Sequence, residues 1–364
     1  MKVGILGGGQ LARMLALAGY PLGIQFVILD PDPYAGAAGL SKHLLGAYDD
    51  TDLLAKLAEE ADVVTYEFEN VPADVASFLA SRTQVYPPAN ALAVAQDRLI
   101  EKNFFKHLGI GTAPFAAIDN LEDLKQAMPD IGYPAILKSR RMGYDGKGQV
   151  VINSKSDLES AWEAMNGASS IVEGFVNFQR EISIIAARSP SGEIVYYPIS
   201  QNKHRKGILR IAECQSNDAL QTQAERQVRA LLEALEYVGV IALELFDVDG
   251  ALLANEFAPR VHNSGHWTIE GTETSQFENH LRAILGLPLG NTQARGFSAM
   301  VNFIGGISET SSVLALANSH LHLYDKSPRK GRKVAHATVL ADDKTLYSDT
   351  LNKLSLLADQ VDDS

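Results

Sequence analysis

Length, composition and charge set the first limits on this chain. It has 364 residues, of which 46% are hydrophobic and 21% charged, as is typical of a soluble globular protein with two or three domains. Acidic residues outnumber basic ones by 44 to 32, which makes duplex nucleic acid a poor candidate partner because phosphate binding requires a basic surface. The single cysteine, Cys214, excludes an internal disulfide and favours a reducing, cytoplasmic compartment.

The first 92 residues predict an α/β domain. Strands and helices alternate, with strands at 2–6, 24–29 and 62–66 and helices at 10–18 and 52–60. Strand–helix–strand order implies right-handed crossovers and a parallel sheet.

The next segment, residues 93–295, predicts an α+β domain built around a glycine-rich hairpin. Strands are predicted at 112–118, 134–138, 150–152, 170–173, 181–187, 194–199, 241–248 and 251–258, and helices at 97–108, 121–128, 157–165 and 223–237. Residues 296–364 are predicted to form a small, separate β-rich cap with a short final helix. No run of about 18 apolar residues predicts a membrane span.

A glycine turn follows the first predicted strand. Residues 7–12 fit the pattern G-x-G-x-x-A, and Asp30 ends the second strand, where a dinucleotide-binding fold places its ribose-binding acid. The amides of such a turn attract anions. A nicotinamide oxidoreductase is therefore one hypothesis, and a tight turn without a ligand is the alternative.

A second glycine-rich loop follows the predicted strand that carries Lys138. Gly143, Gly146 and Gly148 give a loop whose amides can approach phosphate oxygens, and Lys138 supplies a positive charge. The chain contains no P-loop pattern. An ordinary hairpin turn with basic residues remains the alternative.

Two glutamates lie on the last predicted hairpin of the middle segment. Glu244 and Glu256 each interrupt an apolar strand, and a magnesium ion shared with nucleotide phosphates would stabilise both carboxylates. A two-residue turn at residues 249–250 would put them on opposite faces, whereas a loop with an odd number of residues, such as 248–250, puts them on one face. We predict the odd loop; solvated glutamates on an edge hairpin are the alternative.

Two further polar clusters come later in the chain. A strand-following loop contains Arg260, His262, Asn263 and His266. Five cations within eight residues indicate a site for a phosphate monoester or, alternatively, a solvated basic turn; they are Lys326, Arg329, Lys330, Arg332 and Lys333.

Together these motifs resemble the ATP-grasp superfamily and, within it, the N5-carboxyaminoimidazole ribonucleotide synthase family. The resemblance extends from residue 2 to about residue 340. The matching segments are residues 7–11, 66–72, 143–149, 173–176, 255–256 and 259–268, with Lys326, Arg329, Gly331, Arg332, Lys333 and His336. Two residues depart from the family pattern: Asp325 replaces a glycine, and Lys330 stands where proline is common.

The resemblance implies an ATP-grasp architecture and a set of ATP and magnesium ligands. The domains would be residues 1–92 for substrate binding, 93–295 for ATP-grasp and 296–364 as a small C-terminal domain. The nucleotide would be held by Arg98, Lys138, Gly143, Gly146, Gly148, Gln149, Glu173, Gly174, Phe175, Val176, Glu181, His204, Asn255 and Glu256. Magnesium would be bound by Glu244 and Glu256.

The resemblance also implies the substrates. Aminoimidazole ribonucleotide would be carboxylated with bicarbonate through carboxyphosphate, by a homodimeric enzyme of purine biosynthesis. The catalytic residues would be Tyr144, Asp145, Lys147, Arg260, His262 and Asn263, and the ribonucleotide would contact Gln10, Leu11, Glu69, Asn70, Lys326, Arg332 and Lys333. The rival hypotheses are a formate-using glycinamide ribonucleotide ligase, a biotin-dependent carboxylase, the nicotinamide oxidoreductase and a non-catalytic nucleotide sensor.

Overall fold

The computed structural model describes residues 1–143 and 148–362. Its N-terminal unit is a five-stranded sheet in the order β3-β2-β1-β4-β5, and every neighbouring pair is parallel, as predicted. The elements are β1 (Lys2–Leu6), α1 (Gln10–Gly19), β2 (Gln25–Asp30), β3 (Lys42–Leu45), α2 (Thr51–Glu60), β4 (Val63–Tyr66), α3 (Ala73–Ala80) and β5 (Gln84–Val85). The strands β3 and β5 were not predicted because each is short and has only one buried residue.

A four-stranded antiparallel sheet, in the order β6-β9-β7-β8, forms the next unit. Its elements are α4 (Ala89–Ala95), α5 (Arg98–His107), β6 (Phe115–Ile118), α6 (Leu121–Ile131), β7 (Ala135–Ser139), β8 (Gln149–Ile152), α7 (Leu158–Ala164) and β9 (Ser170–Gly174). The loop between β7 and β8 contains four predicted site residues that lie outside the described residues: Tyr144, Asp145, Gly146 and Lys147.

The largest unit is a nine-stranded sheet in the order β15-β14-β10-β12-β13-β16-β18-β17, with β11 paired to β10. Its strands are β10 (Arg180–Arg188), β11 (Ile194–Tyr196), β12 (Ile199–Arg205), β13 (Ile208–Gln215), β14 (Gly239–Val248), β15 (Ala251–Ala258), β16 (Phe297–Ile304), β17 (Ser319–Leu323) and β18 (Lys333–Ala341). Its helices are α8 (Gln221–Ala234), α9 (Thr268–Gly271), α10 (Gln276–Ile284), α11 (Thr310–Leu314) and α12 (Lys344–Gln360).

The C-terminal strands are β-rich, as predicted, and they extend the large sheet rather than forming a sheet of their own. β16 pairs with β13, for example at Ile211 and Val301, so the sheet continues from the middle segment into the last one. This continuity was not predicted, because β12 and β13 contain many polar residues and were not recognised as strands that needed a partner. The final helix is also longer than predicted, with 17 residues. Its buried side packs on the apolar face of β16 and β18.

The β14–β15 hairpin corrects a second prediction. Val248 pairs with Ala251 across a two-residue turn, so the predicted odd loop is wrong. Asp249 and Gly250 have φ angles of +52° and +83°, the left-handed conformation at both central positions that suits the twist of a two-residue hairpin. A β-bulge at Asn255 then shifts the register so that Glu256 pairs with Glu244. The two glutamates therefore share one face, for a different reason from the one predicted.

The N-terminal unit packs directly on the large sheet. One apolar core joins side chains of β1 and α1 to those of β10, β14 and α10. Within this core the buried Thr65 Oγ1 lies 2.8 Å from His280 Nε2, and His280 Nδ1 accepts a hydrogen bond from Val240 N at 3.1 Å. Among the described residues, no helix is both long enough and apolar enough to span a membrane.

Candidate active site

Facing carboxylates form the centre of the site. Glu244 and Glu256 are directly opposed on β14 and β15, and Glu256 Oε2 lies 4.0 Å from Arg98 Nη2. Burial, followed by the nearby charge of Glu256, raises the pKa of Glu244 to about 7. No group of three or more histidine, cysteine, aspartate or glutamate residues within the described part of the chain is arranged to hold a metal ion. Two carboxylates alone fit a magnesium ion that takes its remaining ligands from phosphate and water.

Cationic side chains from the unit of the smaller sheet border the space between that sheet and the large one, which is called the cleft from here on. Arg98 is the first residue of α5, and its Nη1 donates to the carbonyl of Ser139 at 3.0 Å. A side chain on Gly143 would collide with this guanidinium. Lys138, on β7, is nearly buried, with its Nζ 3.1 Å from Glu173 Oε1. The structure therefore brings Arg98 close to Gly143 and holds Lys138 on the adjoining strand.

The carboxylate of Glu173 bridges two lysines. Its Oε2 lies 3.1 Å from Lys102 Nζ, and its Oε1 contacts Lys138. Burial raises the pKa of Glu173, but the charges of Lys102 and Lys138 outweigh this effect and hold the pKa at about 2. Sequence reasoning missed Lys102, although a lysine and Glu101 on the same helix side as the buried Phe105 were a signal that charged groups had partners there.

The segment after β9 joins the two sheets that flank the cleft. β9 belongs to the smaller sheet and β10 to the larger one, so residues 175–179 link them. The amides of Gly174 and Phe175 donate to the carbonyls of Pro114 and Pro134 at 2.9 and 3.1 Å. Phe175 is 51% exposed and Val176 is partly buried, so neither side chain lies in an apolar core.

A polar ladder crosses the face of the large sheet beside the glutamate pair. Glu181, on β10, forms an ion pair with His204 of β12. Burial lowers the pKa of His204, but its hydrogen bond to Glu181 and the charge of Glu244 raise it overall. Two buried residues that sequence reasoning missed continue the ladder: Asn202 Nδ2 donates to Ser183 Oγ at 3.1 Å. Asn255 lies on β15, two strands from β10, as the extra residue of the bulge.

The loop after β15 supplies the predicted arginine, histidine and asparagine. Arg260 Nε donates to Glu69 Oε2 at 2.5 Å, which joins this loop to the N-terminal unit. His262 Nε2 lies 3.3 Å from Glu244 Oε1. Burial, then the charge of Arg260, holds the pKa of His262 well below its usual value, so the ring is neutral at pH 7. Asn263 exchanges amide hydrogen bonds with Asn302 of β16, at 3.2 and 2.7 Å.

The basic segment reaches the N-terminal glycine turn through one lysine. Lys326 Nζ contacts Gln10 Oε1, whereas Arg332 bonds to Ser327 within its own loop. Arg332 and Lys333 are near enough for their charges to lower the pKa of Lys326, after the larger effect of burial. Asp325 has a φ of +57°, a conformation that glycine adopts freely and aspartate tolerates, which accounts for a glycine in the family pattern at this position.

The glycine turn itself is occupied by the protein's own carboxylates. Glu67 accepts hydrogen bonds from the amides of Gly9 and Ala12, at 2.6 and 3.0 Å, and Asp30 accepts one from Gly8 at 2.7 Å. Asp30 also accepts a bond from the hydroxyl of Tyr48. The donors on which a dinucleotide would depend are therefore already satisfied, which disfavours the nicotinamide hypothesis.

Family models match the three segments of the chain. Residues 1–96 match the ribonucleotide synthetase preATP-grasp domain, residues 103–277 match the ATP-grasp domain, and residues 298–349 match the phosphoribosylaminoimidazole carboxylase C-terminal domain. The fold and the cleft thus define an ATP-grasp enzyme, with a parallel-sheet domain before the nucleotide-binding unit and a β-rich segment after it.

Full-length relatives make the assignment more specific. An N5-carboxyaminoimidazole ribonucleotide synthase from Pseudomonas aeruginosa is 52% identical over 344 residues, covering 94% of this chain and 96% of that protein. The crystal structure of the Thermus thermophilus synthetase is 51% identical, with a TM-score of 0.94 and 98% of each chain covered. An Aspergillus clavatus synthase crystallised with ADP and 5-aminoimidazole ribonucleotide is 31% identical, with a TM-score of 0.91, covering 99% of this chain and 98% of that one. This chain belongs to the N5-carboxyaminoimidazole ribonucleotide synthase family of ATP-dependent ligases.

Proposed function

We propose that the chain uses ATP and bicarbonate to carboxylate 5-aminoimidazole ribonucleotide, giving N5-carboxyaminoimidazole ribonucleotide for purine biosynthesis. The observation that carries the proposal is the opposed pair Glu244 and Glu256, which faces Arg98 across a cleft between two sheets. Such a cleft, with carboxylates for a metal ion and a cation for phosphate, suits a nucleoside triphosphate. The Aspergillus clavatus relative was crystallised with ADP and this ribonucleotide. A cytoplasmic homodimer, and domains at residues 1–92, 93–295 and 296–364, complete the proposal.

The reaction takes two steps. An oxygen of bicarbonate attacks the γ-phosphorus of ATP, the bond to the β-phosphate oxygen breaks, and ADP leaves carboxyphosphate behind. The exocyclic amine of the ribonucleotide then attacks the carboxyl carbon, or carbon dioxide released from it, loses a proton and displaces phosphate. Charge on the phosphoryl oxygens grows during the transfer, so preorganised cations supply most of the stabilisation.

For the nucleotide half of the site, we assign the roles that the family resemblance implies. Arg98 and Lys138 face the phosphates, Glu181 and His204 the ribose, and the 173–176 segment the adenine. We assign the phosphates also to backbone amides of the glycine loop and the start of β8, through Gly143, Gly146, Gly148 and Gln149. Magnesium, held by Glu244 and Glu256 with the phosphate oxygens, would offset triphosphate charge. Asn255, next to Glu256 on the bulge, completes this half.

The acceptor half lies toward the N-terminal unit. Arg260, His262 and Asn263 face bicarbonate, and the neutral ring of His262 adds a polar contact without a further full charge. We assign the imidazole contacts to Tyr144, Asp145 and Lys147, as the resemblance implies; these three residues lie outside the described part of the chain. The ribonucleotide is held by Gln10, Leu11, Glu69, Asn70, Lys326, Arg332 and Lys333. Closing this space against water protects carboxyphosphate from hydrolysis.

A labelled-substrate assay tests the proposal. Purified protein is mixed with ATP, magnesium, ¹³C-bicarbonate and 5-aminoimidazole ribonucleotide, and carbon NMR is followed together with ADP release. We expect a new carbamate carbon and one ADP for each ribonucleotide consumed. Replacing the substrates with formate and glycinamide ribonucleotide should give no product, which separates this activity from the formate-using ligase. ADP release that does not depend on the ribonucleotide would contradict the proposal.

A further inference from the structure

Glu67 has no part in the mechanism above, yet its carboxylate contacts the glycine turn that carries Gln10, a residue of the substrate half of the site. We propose that Glu67 is a positioning residue, which holds the glycine turn against the segment carrying Lys326 so that Gln10 and Lys326 meet the ribonucleotide together. The identity of that ligand rests on the proposed function; the positioning itself rests on contacts within the chain.

The first contact lies between Glu67 and the start of α1. Its two carboxylate oxygens accept the amides of Gly9 and Ala12 at 2.6 and 3.0 Å. These are donors that the first turn of a helix leaves without intrahelical partners, and a carboxylate there is stabilised by the helix dipole. Side chains on Gly7 or Gly9 would collide with Glu67, so the glycines permit this approach. The glycine turn therefore serves to admit an internal carboxylate.

A second set of contacts joins the turn to the C-terminal segment. The carbonyl of Gly8 accepts the amide of Ala37 at 2.8 Å, and a Cβ on Gly36 would lie 2.6 Å from the carbonyl oxygen of Tyr324. Tyr324 is buried and its hydroxyl lies 2.8 Å from His336 Nδ1, which fixes the start of the basic segment. The glycine turn thus contacts the loop at residues 35–37, and this loop in turn contacts Tyr324.

Lys326 makes a further contact between the C-terminal segment and the glycine turn. It follows Tyr324 by two residues, and its ammonium contacts the side chain of Gln10, which is the first residue of α1. The charge of Lys326 also acts on Glu67, and that of Glu67 on Lys326. Displacing the Glu67 carboxylate would release the turn that presents Gln10, and Lys326 would lose both its neutralising charge and its partner's fixed position.

Hydrogen exchange tests the positioning without any substrate. Glu67→Gln removes the charge and one acceptor, and Gly9→Ala displaces the carboxylate from the opposite side. Both variants should speed amide exchange in residues 8–13 and 324–333 by about tenfold, as expected from losing bonds to a charged acceptor. Two matched controls should leave these peptides unchanged: Glu60→Gln, a surface carboxylate paired with Lys42, and Gly39→Ala, whose added Cβ meets nothing within 4 Å. Unchanged exchange in both test variants would overturn the proposal.

Kinetics of the same variants tests the link to the ribonucleotide. Glu67→Gln should raise the KM for 5-aminoimidazole ribonucleotide about tenfold and leave the KM for ATP unchanged, because the nucleotide contacts come from other elements. A merely destabilised fold would instead raise both constants and lower the melting temperature. If the unmodified chain shows no ribonucleotide-dependent turnover, the proposed function fails, and the exchange result still decides whether Glu67 positions the turn.

Discussion

Glu173 stabilises two ammonium groups that the fold has removed from water. Its side chain and that of Lys102 are 4% and 2% exposed, and Lys138 is 13% exposed. Breaking a buried ion pair from one side leaves charge without compensation, which costs more than the pair itself contributes.

We therefore expect Glu173→Gln to lower the free energy of unfolding by about 3 kcal/mol, measured by urea denaturation at pH 7. The matched control is Glu159→Gln, which removes an exposed carboxylate paired with Lys125 and should change stability little. Equal effects of the two substitutions would show that the Glu173 cluster is not a buried, mutually dependent set.

Single residues of the site were predictable where their chemistry interrupts a pattern. Glu244 and Glu256 stand out as carboxylates in apolar strands, and Lys138 as a lysine before a glycine loop. Glu67 and Lys102 were not assigned roles, because their partners are backbone amides or side chains far along the chain. No local pattern indicates that Lys102 meets Glu173, or that Glu67 caps a helix 55 residues before it.

The hairpin of β14 and β15 shows the same limit at the scale of elements. Asp249-Gly250 indicates a two-residue turn, and the structure has one. The bulge at Asn255, which returns Glu256 to the face of Glu244, is set by pairing and packing along both strands and leaves no clear mark in the sequence. The face shared by the two glutamates was thus predicted correctly from an incorrect loop.

The turn offers a test of its own conformation. Gly250 has a φ of +83° and no neighbouring atom where a Cβ would stand, so Gly250→Ala should cost about 1 kcal/mol through backbone strain alone. Gly39→Ala, at a glycine without a positive φ and with equally open surroundings, should cost much less. Thermal or urea unfolding measures both. A neutral Gly250→Ala would mean that the turn readily adopts another conformation.

Across the whole molecule, His280 connects the N-terminal unit to the large sheet. Because Nδ1 accepts the amide of Val240, Nε2 carries the proton and donates to Thr65. Burial lowers the pKa of His280 from 6.5 to about 4. The unfolded chain therefore takes up a proton that the folded chain refuses, and this contribution to stability is present above pH 6.5 and lost as pH falls toward 4.

The stability difference between the unmodified chain and His280→Gln should accordingly shrink as pH falls from about 7 to about 4.5, since the variant lacks this titration. Urea denaturation at three pH values measures it. His107→Gln, at an exposed histidine, provides the comparison. A difference that stays constant with pH would mean that His280 is not held neutral between the two units.

The overall architecture followed from the alternation of elements and from the resemblance, but the way the units join did not. The parallel N-terminal sheet was predictable because each apolar strand alternates with an amphipathic helix. The continuity of the large sheet through β13 and β16 was not, since β13 carries several polar residues and pairs with a strand far along the chain. Contacts between units, such as that of Arg260 with Glu69, were likewise not predictable, because the two residues are far apart in the chain.

The central claim is that the nucleotide binds in the cleft between the two sheets, with its phosphates near Glu244 and Glu256, and not at the N-terminal glycine turn. A crystal structure with magnesium and a non-hydrolysable ATP analogue tests it most directly. We predict the terminal phosphate beside the glutamate pair and Lys138, with Glu67 still bonded to Gly9 and Ala12. An empty cleft, with the analogue seated on the amides of residues 7–12, would contradict the account.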